Sequence, residues 1–104
     1  MVEEINSVND YNNVIKKNNK VVIFYGSKFC PHCVNITPYF KSLNKDYPKI
    51  KFAHIEMSNR DNPNIDKVEF VPTFVFYKDG DMLELTFSGG DKDKLNNNLK
   101  YLNK

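Results

Sequence analysis

The stretch Val21-Val22-Ile23-Phe24-Tyr25-Gly26-Ser27-Lys28-Phe29-Cys30-Pro31-His32-Cys33 decides how this chain is read. Its first five residues are β-branched or aromatic without a break, as in a strand covered on both faces. Its last four set two cysteines either side of Pro-His, at the head of a stretch from about Pro31 to Asp46. There the apolar residues Val34, Ile36, Phe40, Leu43 and Tyr47 follow helical spacing, if loosely. Pro31 suits the first helical position, where its missing N–H leaves no bond unmade. Cys30 then falls at or beside the N-cap, facing unpaired amides and the positive end of the helix. Those surroundings favour a thiolate, which is the nucleophilic form of cysteine. Two intervening residues put Cys33 one turn along, within bonding reach. The spacing therefore predicts an exposed attacking sulfur at Cys30 and a buried resolving sulfur at Cys33, exchanging thiols and disulfides through a mixed disulfide.

Two further apolar runs read as strands, Lys51-Phe52-Ala53-His54-Ile55-Glu56-Met57 and Thr73-Phe74-Val75-Phe76-Tyr77. Upstream, Val8, Tyr11, Val14 and Ile15 recur at helical spacing behind Ser7, a plausible N-cap with Asp10 three residues on. Val2 to Ile5 can add a short leading strand. Lys78-Asp79-Gly80-Asp81 signals a hairpin turn, with a strand expected from Met82 to Phe87. Gly89-Gly90 breaks the chain before a closing helix marked by Leu95, Leu99 and Leu102. The segment from Asn62 to Lys67 reads as an irregular or helical link. The order β-α-β-α-β, then β-β-α, demands a crossover and a partly parallel sheet. A mixed central sheet with helices on both faces, an α/β fold, is expected as a single domain over residues 1–104.

At 104 residues, 40% of them apolar, the chain can bury a core without staples. Its two cysteines need another explanation. A net charge of +2, with Lys and Asp/Glu interspersed, lacks the basic stripe of a nucleic-acid binder. No apolar stretch approaches the ~18 residues of a membrane span. The opening Met1-Val2-Glu3-Glu4-Ile5 lacks the features of a secretory signal. A soluble cytoplasmic monomer is expected. In a reducing cytosol a close cysteine pair is catalytic or metal-binding rather than structural.

The run Val21–Tyr25 followed by Cys30-Pro31-His32-Cys33 resembles the active-site strand and motif of the thioredoxin superfamily. Pro38 resembles the proline inside that family's active-site helix. Val71-Pro72-Thr73-Phe74 resembles the segment whose cis-proline faces the cysteines. Phe87-Ser88-Gly89 resembles the glycine element lining the substrate groove, behind a hairpin about one residue longer than usual. The resemblance spans nearly the whole chain. It implies the thioredoxin fold and a protein dithiol–disulfide oxidoreductase without cofactor or metal. Its partners would be protein disulfides and an electron donor such as a thioredoxin reductase. Catalysis is expected from Cys30, Cys33, His32 and Pro72. Phe29, Pro31, Val71, Thr73 and Gly89 are expected to bind substrate, with Phe29 as an apolar lip and the chain at Val71 pairing with substrate backbone.

Two positions depart from the family pattern. The buried acid usual six residues before the first cysteine is replaced by Phe24, and its lysine partner by His54. His54 is a candidate for the missing proton transfer at Cys33, a neutral imidazole being suited to that near neutral pH; otherwise it is a packed strand residue. His32, beside Cys30, can donate to the thiolate or attract it when protonated. That would make the pair more oxidising than a Gly-Pro version. Lys28 can add positive field. Three other readings compete. A glutathione-coupled glutaredoxin is disfavoured because threonine follows Pro72 rather than preceding it. A zinc site would take Cys30, Cys33, His32 and His54, without a second close pair. A non-catalytic binding module would need neither cysteine.

Overall fold

The computed structural model describes all 104 residues. Along the chain run β1 (Glu3–Glu4), α1 (Val8–Lys17), β2 (Lys20–Gly26) and α2 (Pro31–Leu43). A 3-10 turn (Asn44–Asp46) leads to β3 (Lys51–Glu56), β4 (Thr73–Lys78), β5 (Asp81–Met82), β6 (Phe87–Ser88) and α3 (Lys92–Asn103). β2 lies at the centre of one mixed sheet of order β1-β3-β2-β4-β5, with β6 also on β4. It runs parallel to β3 and antiparallel to β4, so that Phe24 is flanked by His54 and Phe74. The β2–β3 crossover is α2, as a parallel pair requires.

Alternation along β2 sends side chains to two cores. Val22 and Phe24 face α2 and α3, meeting Cys33, Ile36 and Phe40 from one helix and Leu95, Leu99 and Leu102 from the other. Val21, Ile23 and Tyr25 face α1, where Tyr11 and Val14 lie. Helices thus cover both faces, and β2 is buried from Val21 to Gly26 as its composition requires.

Local chemistry sets the boundaries. The Ser7 hydroxyl accepts from the Asp10 amide at 3.0 Å while Asp10 accepts from the Asn6 amide, closing the start of α1 reciprocally. Asp91 caps α3 in the same way through the Lys94 amide. Asp79 and Gly80 both have positive φ, 52° and 87°, the conformation of a two-residue hairpin turn between Lys78 and Asp81. α2 stops at Leu43, short of the expected Asp46, and passes into the 3-10 turn; it continues through Pro38.

The expected strand from Met82 to Phe87 is not continuous. β5 ends at Met82, the chain turns through Leu83–Thr86, and β6 holds only Phe87 and Ser88. Leu83 and Leu85 both pack on the α2–α3 core, which strict alternation along a straight strand would accommodate. The Leu85 carbonyl, however, accepts from the Asn98 side-chain amide of α3 at 2.7 Å, so a helix takes the bond a strand would have made. The link around Asn62 to Lys67 contains no helix. Asn64 holds it by accepting from the Val68 amide at 2.8 Å and donating to the Val68 carbonyl at 2.9 Å.

Candidate active site

Cys30 is the N-cap of α2, with extended backbone (φ −98°, ψ 117°) and Pro31 directly after it. Its Sγ accepts from the Cys33 amide at 3.3 Å. Val34 N–H closes the first helical bond on the Cys30 carbonyl at 3.0 Å. Burial pushes the Cys30 thiol up, but the hydrogen bonds from Cys33, and from the Cys33 and His32 amides, outweigh it. The thiol lies below its ordinary value. The positive end of α2 acts in the same sense. Cys33, one turn on, is 1% exposed and packs beside Phe24, Ile36 and Phe40. Burial, then the contact with Cys30, pushes its thiol up to about 12. Both cysteines are free thiols. One sulfur is poised to ionise and the other to stay protonated, the division that sequential thiol–disulfide exchange needs.

Three segments meet around Cys30. The Val71–Pro72 peptide is cis, and the Val71 carbonyl lies 3.7 Å from Cys30 Sγ. Thr73 is buried, its hydroxyl donating to the Phe70 carbonyl at 2.6 Å and meeting Ser88 Oγ at 2.6 Å. The Gly89 amide donates to the Pro72 carbonyl at 2.8 Å, tying the glycine loop to the cis-proline segment. Gly89 needs to be glycine because its φ is 109°. Gly90 lies against His32, whose Cβ is 3.7 Å from where a Gly90 Cβ would stand. The cis-proline segment thus reaches the Cys30 sulfur through Val71, and the glycine loop is fastened to that segment and lies against His32.

Phe29 projects into solvent, 76% exposed, with the Lys28 ammonium 5.3 Å from its ring centre. Lys28 thus engages this ring. His32 is exposed, with its Cβ against Gly90 of the glycine loop. His54 sits on β3 facing α2, its ring 5.2 Å from the Phe24 ring and its Nδ1 2.8 Å from Glu4 Oε1.

Three residues escaped the sequence reading. Phe70, 69% exposed and next to Val71, gives the site a second apolar projection; its position one residue before Val71-Pro72 was the available signal. Gly26 accommodates the Phe24 ring, since a Cβ there would lie 2.6 Å from Phe24 Cζ. Glu56 is two residues beyond His54 on the same strand face, and its charge is felt at Cys33.

Comparison with known proteins bears on the whole chain. The thioredoxin family model matches residues 2–101. Thioredoxin of Gallus gallus is 30% identical over 98% of this chain and 99% of its own length. Thioredoxin-like 3-3 of Arabidopsis thaliana is 32% identical over 68% of this chain, and the match spans 56% of that protein. The oxidised form of mitochondrial thioredoxin 3 from Saccharomyces cerevisiae superposes with a TM-score of 0.86 at 27% identity, over 96% of this chain and 94% of that one.

Proposed function

The chain belongs to the thioredoxin family and is a protein thiol–disulfide oxidoreductase, and we propose that Cys30 opens and Cys33 completes each exchange with a protein disulfide. The Cys30 thiolate attacks one sulfur of the substrate disulfide. That bond breaks, a mixed disulfide forms through Cys30, and the first substrate sulfur leaves as a thiolate and takes a proton. Cys33 then loses its proton and attacks Cys30 Sγ. The Cys30–Cys33 bond forms, the mixed disulfide breaks, and the second substrate sulfur leaves. Two electrons pass to the substrate. The observation that carries this assignment is the Cys30 sulfur capping α2, bonded by the Cys33 amide.

Substrate backbone would lie along Val71 and Pro72, between the apolar side chains of Phe29 and Phe70 and the Gly89 loop. The Val71 carbonyl beside Cys30 and the tie from Gly89 to Pro72 support that groove. Its electrons would come from a thioredoxin reductase in a reducing compartment, the cytoplasm. Matches to thioredoxins along the whole chain favour this donor over glutathione. The protein would act as a monomer: outside the groove, exposed large apolar side chains such as Val8, Met82 and Tyr101 stand on separate elements. The test is reduction of a protein disulfide driven either by NADPH with thioredoxin reductase or by glutathione with glutathione reductase. Turnover with the first and little with the second is expected; the reverse would overturn the donor assignment. Loss of turnover in Cys30→Ser is expected with either donor.

A further inference from the structure

Completion of the exchange requires Cys33 to lose a proton, and its surroundings oppose this. The sulfur is enclosed by Phe24, Ile36 and Phe40, and no titratable side chain of β2 faces it. A cavity of about 410 Å³ opens along this part of α2, lined on the helix by Val34, the residue after Cys33, and by Thr37, whose hydroxyl donates to the Cys33 carbonyl at 2.6 Å. Across it stand Phe24, His54 and Glu56, with Glu4 from the sheet edge. Lys28 and Lys41 are the charged groups that the active-site loop and α2 add to this cavity.

The carboxylate and the imidazole are held in a definite arrangement. Glu56 Oε2 accepts from the Lys28 amide at 3.0 Å, the Ser58 amide at 3.2 Å and the Ser58 hydroxyl. Its other oxygen, Oε1, is 3.8 Å from His54 Nε2. His54 Nδ1 is 2.8 Å from Glu4 Oε1. An ionised carboxylate only accepts, so Glu4 fixes the proton on Nδ1 and leaves the lone pair of Nε2 facing Glu56.

We propose that Glu56 and His54 form the proton acceptor for Cys33, with Glu4 as the residue that positions the imidazole. This rests on the reading of Cys33 as the resolving thiol. The Cys33 S–H bond breaks, the proton passes by way of the Glu56 carboxylate to His54 Nε2, and the sulfur pair is free to attack Cys30. The imidazolium stands between two carboxylates until its proton leaves to the departing substrate thiolate or to solvent. Burial pushes the Glu56 carboxyl up, but its bonds from Ser58 and the Lys28 amide bring it below the ordinary range, so it enters the cycle ionised. Phe24 brings no acceptor to this face of β2, and the carboxylate comes instead from the neighbouring strand, at Glu56, two residues beyond the His54 that pairs with Phe24.

The test separates the two steps of exchange. Reduced protein is mixed with a protein disulfide, quenched in acid at intervals, and the mixed disulfide through Cys30 is quantified by mass spectrometry. Cys30 alkylation is measured in parallel. Glu56→Gln keeps an oxygen for the Lys28 and Ser58 amides, and His54→Gln keeps polarity without basicity. Both variants are expected to alkylate at Cys30 within about twofold of wild type yet resolve the mixed disulfide at least ~10-fold more slowly near neutral pH. Their resolution should recover only on the alkaline side, where Cys33 ionises unaided. Glu4→Gln, at an exposed edge, should slow resolution about threefold, and decides the matter should either other variant fail to fold. Resolution at the wild-type rate in the variants that fold would overturn the proposal. A wild-type protein that never forms the Cys30–Cys33 bond would instead overturn the reading on which it rests.

Discussion

At Cys30 the sulfur accepts from the Cys33 amide, and the neighbouring His32 amide helps to lower its thiol, so a substitution at residue 32 can remove a ring, an amide N–H, or both. His32→Ala keeps the amide and deletes an exposed imidazole. It should move the reduction potential by less than about 20 mV, the two-electron equivalent of a weak surface interaction. His32→Pro also deletes the N–H. Losing a donor to a charged sulfur is worth ~1.5–3 kcal/mol, so this variant should be about 30–60 mV more reducing than wild type. Equilibration with glutathione redox buffers measures both, and equal shifts would assign the effect to the ring instead. The cysteines were legible from sequence because helix ends have recognisable chemistry: Pro31 announces the first turn and so fixes Cys30 as its cap. Glu56 was not legible. Its relation to Cys33 arises from strand register and from a helix crossing above, neither of which a local pattern carries.

Among the elements, β2 shows how one substitution makes demands on its neighbours. Phe24 stacks on Phe74 with ring centres 4.9 Å apart, lies 5.2 Å from Phe40, and folds over Gly26. Phe24→Ala should cost ~3–5 kcal/mol of stability, the range for deleting a buried aromatic ring. Gly26→Ala should cost ~1–3 kcal/mol by overpacking against that ring. In a Phe24→Leu background the alanine should be better tolerated, giving a coupling of at least ~0.5 kcal/mol by denaturant titration. Strict additivity would mean that the Phe24 ring is not what demands a glycine at 26. The uninterrupted apolar composition of β2 disclosed that it was central, and the Asp79-Gly80 turn disclosed the β4–β5 hairpin. The break after Met82 was hidden, because Leu83 and Leu85 keep strand-like alternation while Asn98, thirteen residues beyond Leu85, takes the carbonyl.

On the scale of the whole molecule, the face opposite α2 is fastened at Asp66. Hydroxyls of Tyr25 from β2, Tyr77 from β4 and Tyr11 from α1 converge on its carboxylate, joining three elements to the loop that delivers Val71 and Pro72. Burial, then the Tyr77 hydrogen bond and Asp66, leave Tyr11 at about 12; burial and Asp66 push Tyr25 and Tyr77 higher still. These phenols stay protonated in the folded chain while the unfolded chain ionises above about pH 10, so the unfolded state holds fewer protons there and stability falls as pH rises. Denaturant titrations should show this alkaline loss, and Tyr25→Phe should make it shallower; an unchanged slope would place that phenol outside the linkage. The loop itself is mostly polar, and its few apolar residues, Ile65 and Val68 among them, sustain neither a helical nor a strand period, so its attachment had no local sign, whereas strand order and two-sided helix cover followed from the β-α-β pattern. All of the function described here depends on unequal thiols at one helix end. The direct measurement is alkylation of the reduced protein across pH, with the modified cysteine identified by mass spectrometry. Half-maximal modification of Cys30 well below the free-thiol value of about 8.5, with Cys33 spared until far more alkaline pH, is the expected result. Cys30 titrating at or above that value, or Cys33 reacting alongside it, would contradict the account.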